Sequence, residues 1–271
     1  MKCVARISNQ VQRDRQIYEL AWEYLEQVMG LSREEISRYL KPGPRPTTLN
    51  EIYKRLLTSA QSSGQMHNVI GGSIGGVETL GKVLYDFDPK AVAQHYTTWQ
   101  ALFDDIKREL KPGGKLREEP NSSWPKFCRS IISGAHFLAQ FDTSDDFYSW
   151  VDKFYSEDST YLVPPRKLAE QITGFGLALA MNFLKELGYE RYAKPDTHLI
   201  AICTGLDLAQ SDSTDDIFNA ITRIASHAGV TPYNVDMLFW LIGSGDFYLS
   251  GRKTGRHRDD FIAYVRERFD V

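Results

Sequence analysis

Ile172-Thr173-Gly174-Phe175-Gly176-Leu177, followed downstream by Pro195-Asp196-Thr197-His198-Leu199, is the stretch that decides how this chain folds. Pro165 to Ile172 reads as one or two helical turns. Two glycines within three residues then favour positive φ and a tight reversal. Leu177 to Leu187 resumes helical periodicity, with Leu179, Phe183, Leu184 and Leu187 on one face, and Gly188 ends it. A glycine reversal between two helices leaves backbone N–H groups exposed where the second begins. That end carries partial positive charge and suits a phosphate oxygen.

Asp196 follows Pro195 and precedes the helical run Thr197-His198-Leu199-Ile200-Ala201-Ile202, so it reads as an N-cap whose carboxylate accepts helix N–H bonds. Such bonds favour the ionised acid at neutral pH. An N-capping aspartate alone is usually structural; the glycine reversal upstream is what gives it a chemical reading. Leu56-Leu57-Thr58-Ser59-Ala60-Gln61-Ser62 is a third segment of interest.

Taken in order, Leu56–Gln61, Ile172–Gly176 and Pro195–Leu199 resemble the helix-hairpin-helix superfamily of DNA glycosylases. Its hairpin typically reads Leu-Pro-Gly-Val-Gly, its aspartate lies in Val-Asp-Thr-His-Val, and its upstream helix ends in Leu-Leu-Ser-x-Gln-Thr. The resemblance covers roughly residues 48–245. It implies an all-α, two-lobed fold with a cleft between the lobes. Residues 1–55 would pack with 196–271 as one lobe, and 56–195 would form the other, with the helix-hairpin-helix at 165–188. It implies Asp196 as the catalytic residue at the cleft. Gln61, Thr173, Gly174, Phe175, Gly176, Ala178 and His198 would contact DNA, Gln61 by refilling the gap left by an extruded base.

Two departures shape the expected chemistry. Members that also cut the strand carry a Schiff-base lysine at the position of Ala178, and Lys185 lies too far along the helix to replace it. The resemblance therefore implies a monofunctional glycosylase without lyase activity. Thr173 stands where proline is usual, leaving an extra N–H and a turn expected to be less rigid.

Breaking an N-glycosidic bond builds positive charge on the sugar. One fixed carboxylate beside C1′ stabilises that charge and can orient or deprotonate water, provided the base is a fair leaving group. An alkylated purine is the first expected substrate, with uracil or thymine mispaired with guanine next. Two alternatives stand beside this: a DNA-binding module that keeps the hairpin without catalysis, and a glycosylase acting on modified foreign (phage) DNA.

Other residues keep two readings. Gln61 reads as a solvated helix end or a DNA contact, and His198 as support for the helix start more readily than as a proton carrier. Trp124 and Trp240, with Phe239 and Tyr248, read as core packing or as pocket walls for a base. Cys203 reads as a small buried hydrophobe.

The chain has 271 residues, three widely spaced cysteines and six scattered histidines. That leaves no disulfide framework, no metal-binding spacing and no cysteine set for the superfamily's iron–sulfur branch. The expected cofactor is none, apart from a monovalent cation that the resemblance allows at the hairpin carbonyls. Met1 to Gln12 is too polar for a signal peptide, and no apolar run approaches membrane length. The expected protein is an intracellular monomer acting on double-stranded DNA, cytoplasmic (at the nucleoid) or nuclear.

A net charge of −3 argues against a strongly basic DNA-binding surface. Cations are instead grouped. Arg252, Lys253, Arg256, His257 and Arg258 cluster late; Lys111, Lys115, Arg117, Lys126 and Arg129 populate the middle. Such a group is either a phosphate-binding patch or a solvated segment.

The remaining pattern is helical. Ile17, Leu20, Ala21, Tyr24, Leu25 and Val28 mark one amphipathic face. Ser32 with Glu35 and Thr48 with Glu51 are capping boxes, and Asp88-Pro89 opens another helix. Trp124 to Leu138 is helical, and Lys111 to Ser123 reads as a surface loop. Gly71-Gly72-Ser73-Ile74-Gly75-Gly76 is too glycine-rich for a helix and reads as a loop, over DNA or as a plain connector.

Overall fold

The computed structural model describes residues 2–63 and 66–269. Among them the chain is all-α apart from one short ladder. It divides into two compact units, 1–43 with 188–271, and 44–187. The sequence-based divisions at 55/56 and 195/196 differ from these. One cut falls inside a continuous helix, Leu49–Ala60, and the other falls after the segment 188–195, which groups with the first unit.

In chain order the first unit opens with α1 (Lys2–Glu23), which runs on as a π-helical turn over Tyr24–Val28, and α2 (Arg33–Tyr39). The second unit holds α3 (Leu49–Ala60), α4 (His67–Ile74), α5 (Pro89–His95), α6 (Trp99–Leu110), α7 (Ser123–Leu138), α8 (Ser144–Tyr155), α9 (Val163–Gln171) and α10 (Leu177–Glu186). The chain then returns to the first unit with α11 (Thr197–Gly205), α12 (Thr214–Ala228) and α13 (Pro232–Ser244). An antiparallel pair, β1 (Asp246–Phe247) with β2 (Arg252–Lys253), precedes α14 (Arg258–Phe269).

Local chemistry sets these boundaries. Ser32 with Glu35 and Thr48 with Glu51 form reciprocal capping boxes, each filling two N–H groups left open at a helix start. The Asp88 side chain accepts from the Lys90 and Ala91 N–H groups, and Pro89 takes the first helical position.

Within the first unit Ile17, Leu20, Ala21, Tyr24 and Leu25 are buried as their spacing predicts. Val28 is not; it is 50% exposed, and Met29 takes the inward position. The cause is the π turn, in which the Met29 N–H bonds to the Tyr24 carbonyl and the wider coil advances the face by one residue. Tyr24 stands edge-on to Phe261 and Tyr264 of α14, at ring separations of 5.3 and 5.1 Å.

Asp14 of α1 is fully buried and would be costly without partners. It receives Arg223 Nε at 2.9 Å, His227 Nδ1 at 2.7 Å and Gln10 Nε2 at 2.9 Å, which fastens α1 to α12.

In the second unit α3 packs on α7, where Tyr53 Oη donates to the Ile131 carbonyl at 2.7 Å. Phe147 of α8 meets Trp150, Phe141 and Phe183, joining α8 to α10. The segment from Gly71 departs from its sequence reading: His67–Ile74 is the helix α4, and only Gly75 and Gly76, at φ +78° and +120°, leave it. Burial of Ile70 and Ile74 outweighs the helix cost of Gly71 and Gly72, about 1 kcal/mol each.

Candidate functional site

The reversal between α9 and α10 lies within the second unit. Gly174 takes φ +76°, which makes the turn. Gly176 does not share it; at φ −69° it is the extended N-cap of α10, and a Cβ there would meet open space. The Leu179 and Ala180 N–H groups return to the Gly176 carbonyl. Those of Gly176, Leu177 and Ala178 have no protein acceptor among the described residues. Three backbone donors are thus open at a helix start.

Thr173 does not loosen the turn. Its N–H donates to Ser133 Oγ at 2.9 Å, and its carbonyl accepts from Ser130 Oγ at 2.7 Å. Both serines project from α7, so a neighbouring helix does what the absent proline ring would do. Phe175 points inward, 2% exposed and edge-on to Phe183, so only its backbone faces outward chemistry. Ala178 is half-buried in the first turn of α10, and Lys185 is buried.

Asp196 lies in the first unit as the N-cap of α11. Its Oδ1 takes both helix bonds, from the His198 N–H at 2.9 Å and the Leu199 N–H at 3.2 Å. Oδ2 meets no protein donor among the described residues, and the side chain is partly exposed. One oxygen is anchored while the other is available. Leu199, Ile202 and Cys203 of α11 are buried, and burial pushes the Cys203 thiol up to about 12.

His198 is half-buried, and its Nδ1 has no hydrogen-bond partner among the described residues. Desolvation lowers its pKa below the usual imidazole value; the Asp196 carboxylate pulls upward, and Arg256, Arg258 and Lys194 add to the lowering. The ring rests on α13, where a Cβ on Gly243 would stand 2.6 Å from His198 Cβ.

Other sequence candidates are placed differently from their functional readings. Gln61 is neither a solvated end nor a free probe. It is 5% exposed, and its Oε1 lacks a partner among the described residues. That oxygen fills the space above Gly71, where a Cβ would come within 2.7 Å. Trp124, 2% exposed, stacks on Phe103 at 6.3 Å and meets Phe127 edge-on, so its ring faces are spent on core packing. Phe239 is fully buried. Trp240 is half-buried against Tyr248, itself 53% exposed.

The late cation cluster is mostly engaged. Arg252 donates to the Met29 and Gly30 carbonyls, Lys253 pairs with Asp246, Arg258 with Asp259, and His257 faces Asp260. In the second unit Lys115 and Arg117 line an open concavity with Val69 and Ser122.

Three residues that position these groups have no part in the sequence reading. Ser130 and Ser133 carried a faint signal, two hydroxyls three apart on one helical face. Asp236, a lone acid among Val235, Met237, Leu238 and Phe239, carried a stronger one. Arg256 differs from its neighbours only in three dimensions. Among the described residues, no cluster of metal-ligating side chains occurs, and no helix is long and apolar enough to cross a membrane.

No protein-family model matches this chain, no curated protein matches it, and no solved structure matches it.

Proposed function

We propose that the protein is a monofunctional DNA N-glycosylase, with the two-lobed helix-hairpin-helix character that the sequence order suggests. The observation that carries this reading is the state of Asp196: Oδ1 is held by two helix N–H groups and Oδ2 is open. An anchored, partly exposed carboxylate can sit against a developing oxocarbenium ion without reorganising.

In this reading the target nucleotide leaves the duplex at a cost of a few kcal/mol, less for a damaged or mispaired base. Asp196 Oδ2 orients a water toward C1′. The water oxygen forms the new C1′–O bond as the N-glycosidic bond breaks, and that electron pair leaves with the base. The water proton passes through Asp196 to solvent or to the departing base, and an abasic site remains. The open N–H groups of Gly176, Leu177 and Ala178 bind a backbone phosphate and set register without reading sequence. Ala178 supplies no amine, so no Schiff base forms. A cationic alkylated purine suits a site with one carboxylate, because such a base departs without prior protonation.

The test is release of base from duplexes carrying single lesions, with strand breaks scored before and after hot alkali. Breaks only after alkali, lost in Asp196→Asn with duplex affinity kept, are expected. Full turnover in Asp196→Asn would remove the mechanism. The burial of Gln61 favours a second reading, a hairpin module that binds DNA without extruding a base; it predicts binding with no base released from any lesion.

A further inference from the structure

Near the end of α13, two close approaches bring separate parts of the first unit together. Gly243 lies beneath His198, as described. Two residues on, Gly245 lies beneath the segment 254–257, and a Cβ there would collide with the Gly255 carbonyl oxygen. That segment is fastened at both ends: the Thr254 N–H donates to the Gly245 carbonyl at 2.9 Å, and the His257 N–H to the Ile242 carbonyl at 3.2 Å. The start of α11 and the segment before α14 therefore rest on the same turn of α13.

Arg256 sits in the fastened segment. It is exposed and, unlike Arg252, Lys253 and Arg258, has no carboxylate or carbonyl partner among the described residues. Arg256, Arg258 and Lys194 all act electrostatically on the His198 ring, two residues from Asp196. With its backbone already fixed, only the Arg256 side chain is ordered on binding, and its planar fork matches two oxygens of a phosphate.

We propose that Arg256 is a phosphate-binding residue that grips the backbone of the nucleic-acid strand presented to Asp196. The proposal rests on the glycosylase reading for the identity of the strand. It goes beyond that reading by giving the first unit a phosphate contact of its own, apart from the hairpin. Arg258 and Lys194 act with Arg256 on the same His198 ring, Arg258 while paired with Asp259.

The test is fluorescence anisotropy of a labelled duplex carrying a tetrahydrofuran abasic-site analogue, titrated with wild type, Arg256→Gln, Arg256→Lys and, as control, the exposed Arg266→Gln. One lost phosphate contact should weaken Arg256→Gln about tenfold and reduce the slope of log affinity against log salt by about one. Arg256→Lys should keep the slope, and Arg266→Gln should match wild type. Unchanged affinity and slope in Arg256→Gln overturn the proposal, as does an equal loss in Arg266→Gln. Failure of wild type to bind duplex at all overturns both the proposal and the glycosylase reading. Duplex binding that depends on Arg256, with no base released from any lesion, sinks the glycosylase reading alone. An inorganic phosphate arm separates the sources: displacement of duplex at millimolar phosphate from wild type, but not at equal ionic strength in chloride, would show a free-anion site and overturn the strand contact.

Discussion

Asp236 reaches back to the backbone that carries Asp196: its Oδ2 accepts the Lys194 N–H at 2.6 Å. The Lys194 carbonyl in turn accepts the Asp196 N–H at 2.7 Å. A buried carboxylate on α13 thus fixes the turn from which Asp196 caps α11, and a charged acceptor makes this a strong bond. Asp236→Ala leaves a partly buried N–H without its acceptor and should cost about 1–3 kcal/mol. Asp236→Asn, which keeps an amide oxygen, should cost less. Urea unfolding of the two variants checks the order, and an alanine variant as stable as wild type would refute the brace.

Ser133 and Ser130 hold the hairpin from outside, so the hairpin's rigidity depends on α7 as well as on its own glycines. Ser133→Ala removes the acceptor of the Thr173 N–H. At about 1 kcal/mol for one such bond, exchange of the Thr173 amide with solvent should quicken roughly fivefold. Helix α2, in the other unit, should be unaffected and serves as the internal reference. Equal protection of Thr173 in wild type and variant would show that the turn is rigid without the serine.

Gln61 carries a buried oxygen with no partner among the described residues, a cost that a function elsewhere would explain. Gln61→Met preserves volume and removes the polar atom, so it should stabilise the second unit by about 1 kcal/mol. If the side chain leaves its place over Gly71 to enter DNA, the same variant should also release base more slowly. Calorimetry and the lesion assay separate the two effects. A destabilised Gln61→Met would mean that the amide has a partner in solution.

How far the sequence led follows from which interactions are local. Both capping boxes, the Asp88-Pro89 start, the helices on either side of the reversal and the cap at Asp196 rest on residues within one helical turn, and sequence spacing displays them. Val28 departs from the predicted face because a π turn has no clear signature in apolar spacing. Gly71–Gly76 reads as a loop because helix propensity alone does not register the burial of Ile70 and Ile74. Gln61 and Thr173 read as outward-facing and Trp124 as core or pocket wall, yet their surroundings are built by Gly71, Ser133 and Phe103, contacts that no spacing rule reports. Arg256 stands apart from its cluster only in three dimensions, where Arg252, Lys253 and Arg258 turn to Met29, Asp246 and Asp259.

His198 offers a pH test of the same junction. Burial is the main cause of its lowered pKa, with Arg256, Arg258 and Lys194 pressing the same way and Asp196 opposing them. An unfolded histidine takes up its proton near pH 6.5. In the window between that value and the lower folded value, the unfolded chain binds more protons. Stability must then fall as pH drops through about 6.5 and level off below the folded midpoint. The ring's NMR titration in the folded protein should therefore have its midpoint below that of a free imidazole. His198→Gln should lose this part of the pH dependence of the thermal midpoint between about pH 7 and about pH 5. Arg256→Gln removes one of the cations and should move the His198 midpoint upward without abolishing its depression, since burial remains. A folded midpoint at or above 6.5 would contradict the packing of the ring on Gly243, and a midpoint unmoved by Arg256→Gln would place that guanidinium too far from the start of α11 to hold the strand presented to Asp196.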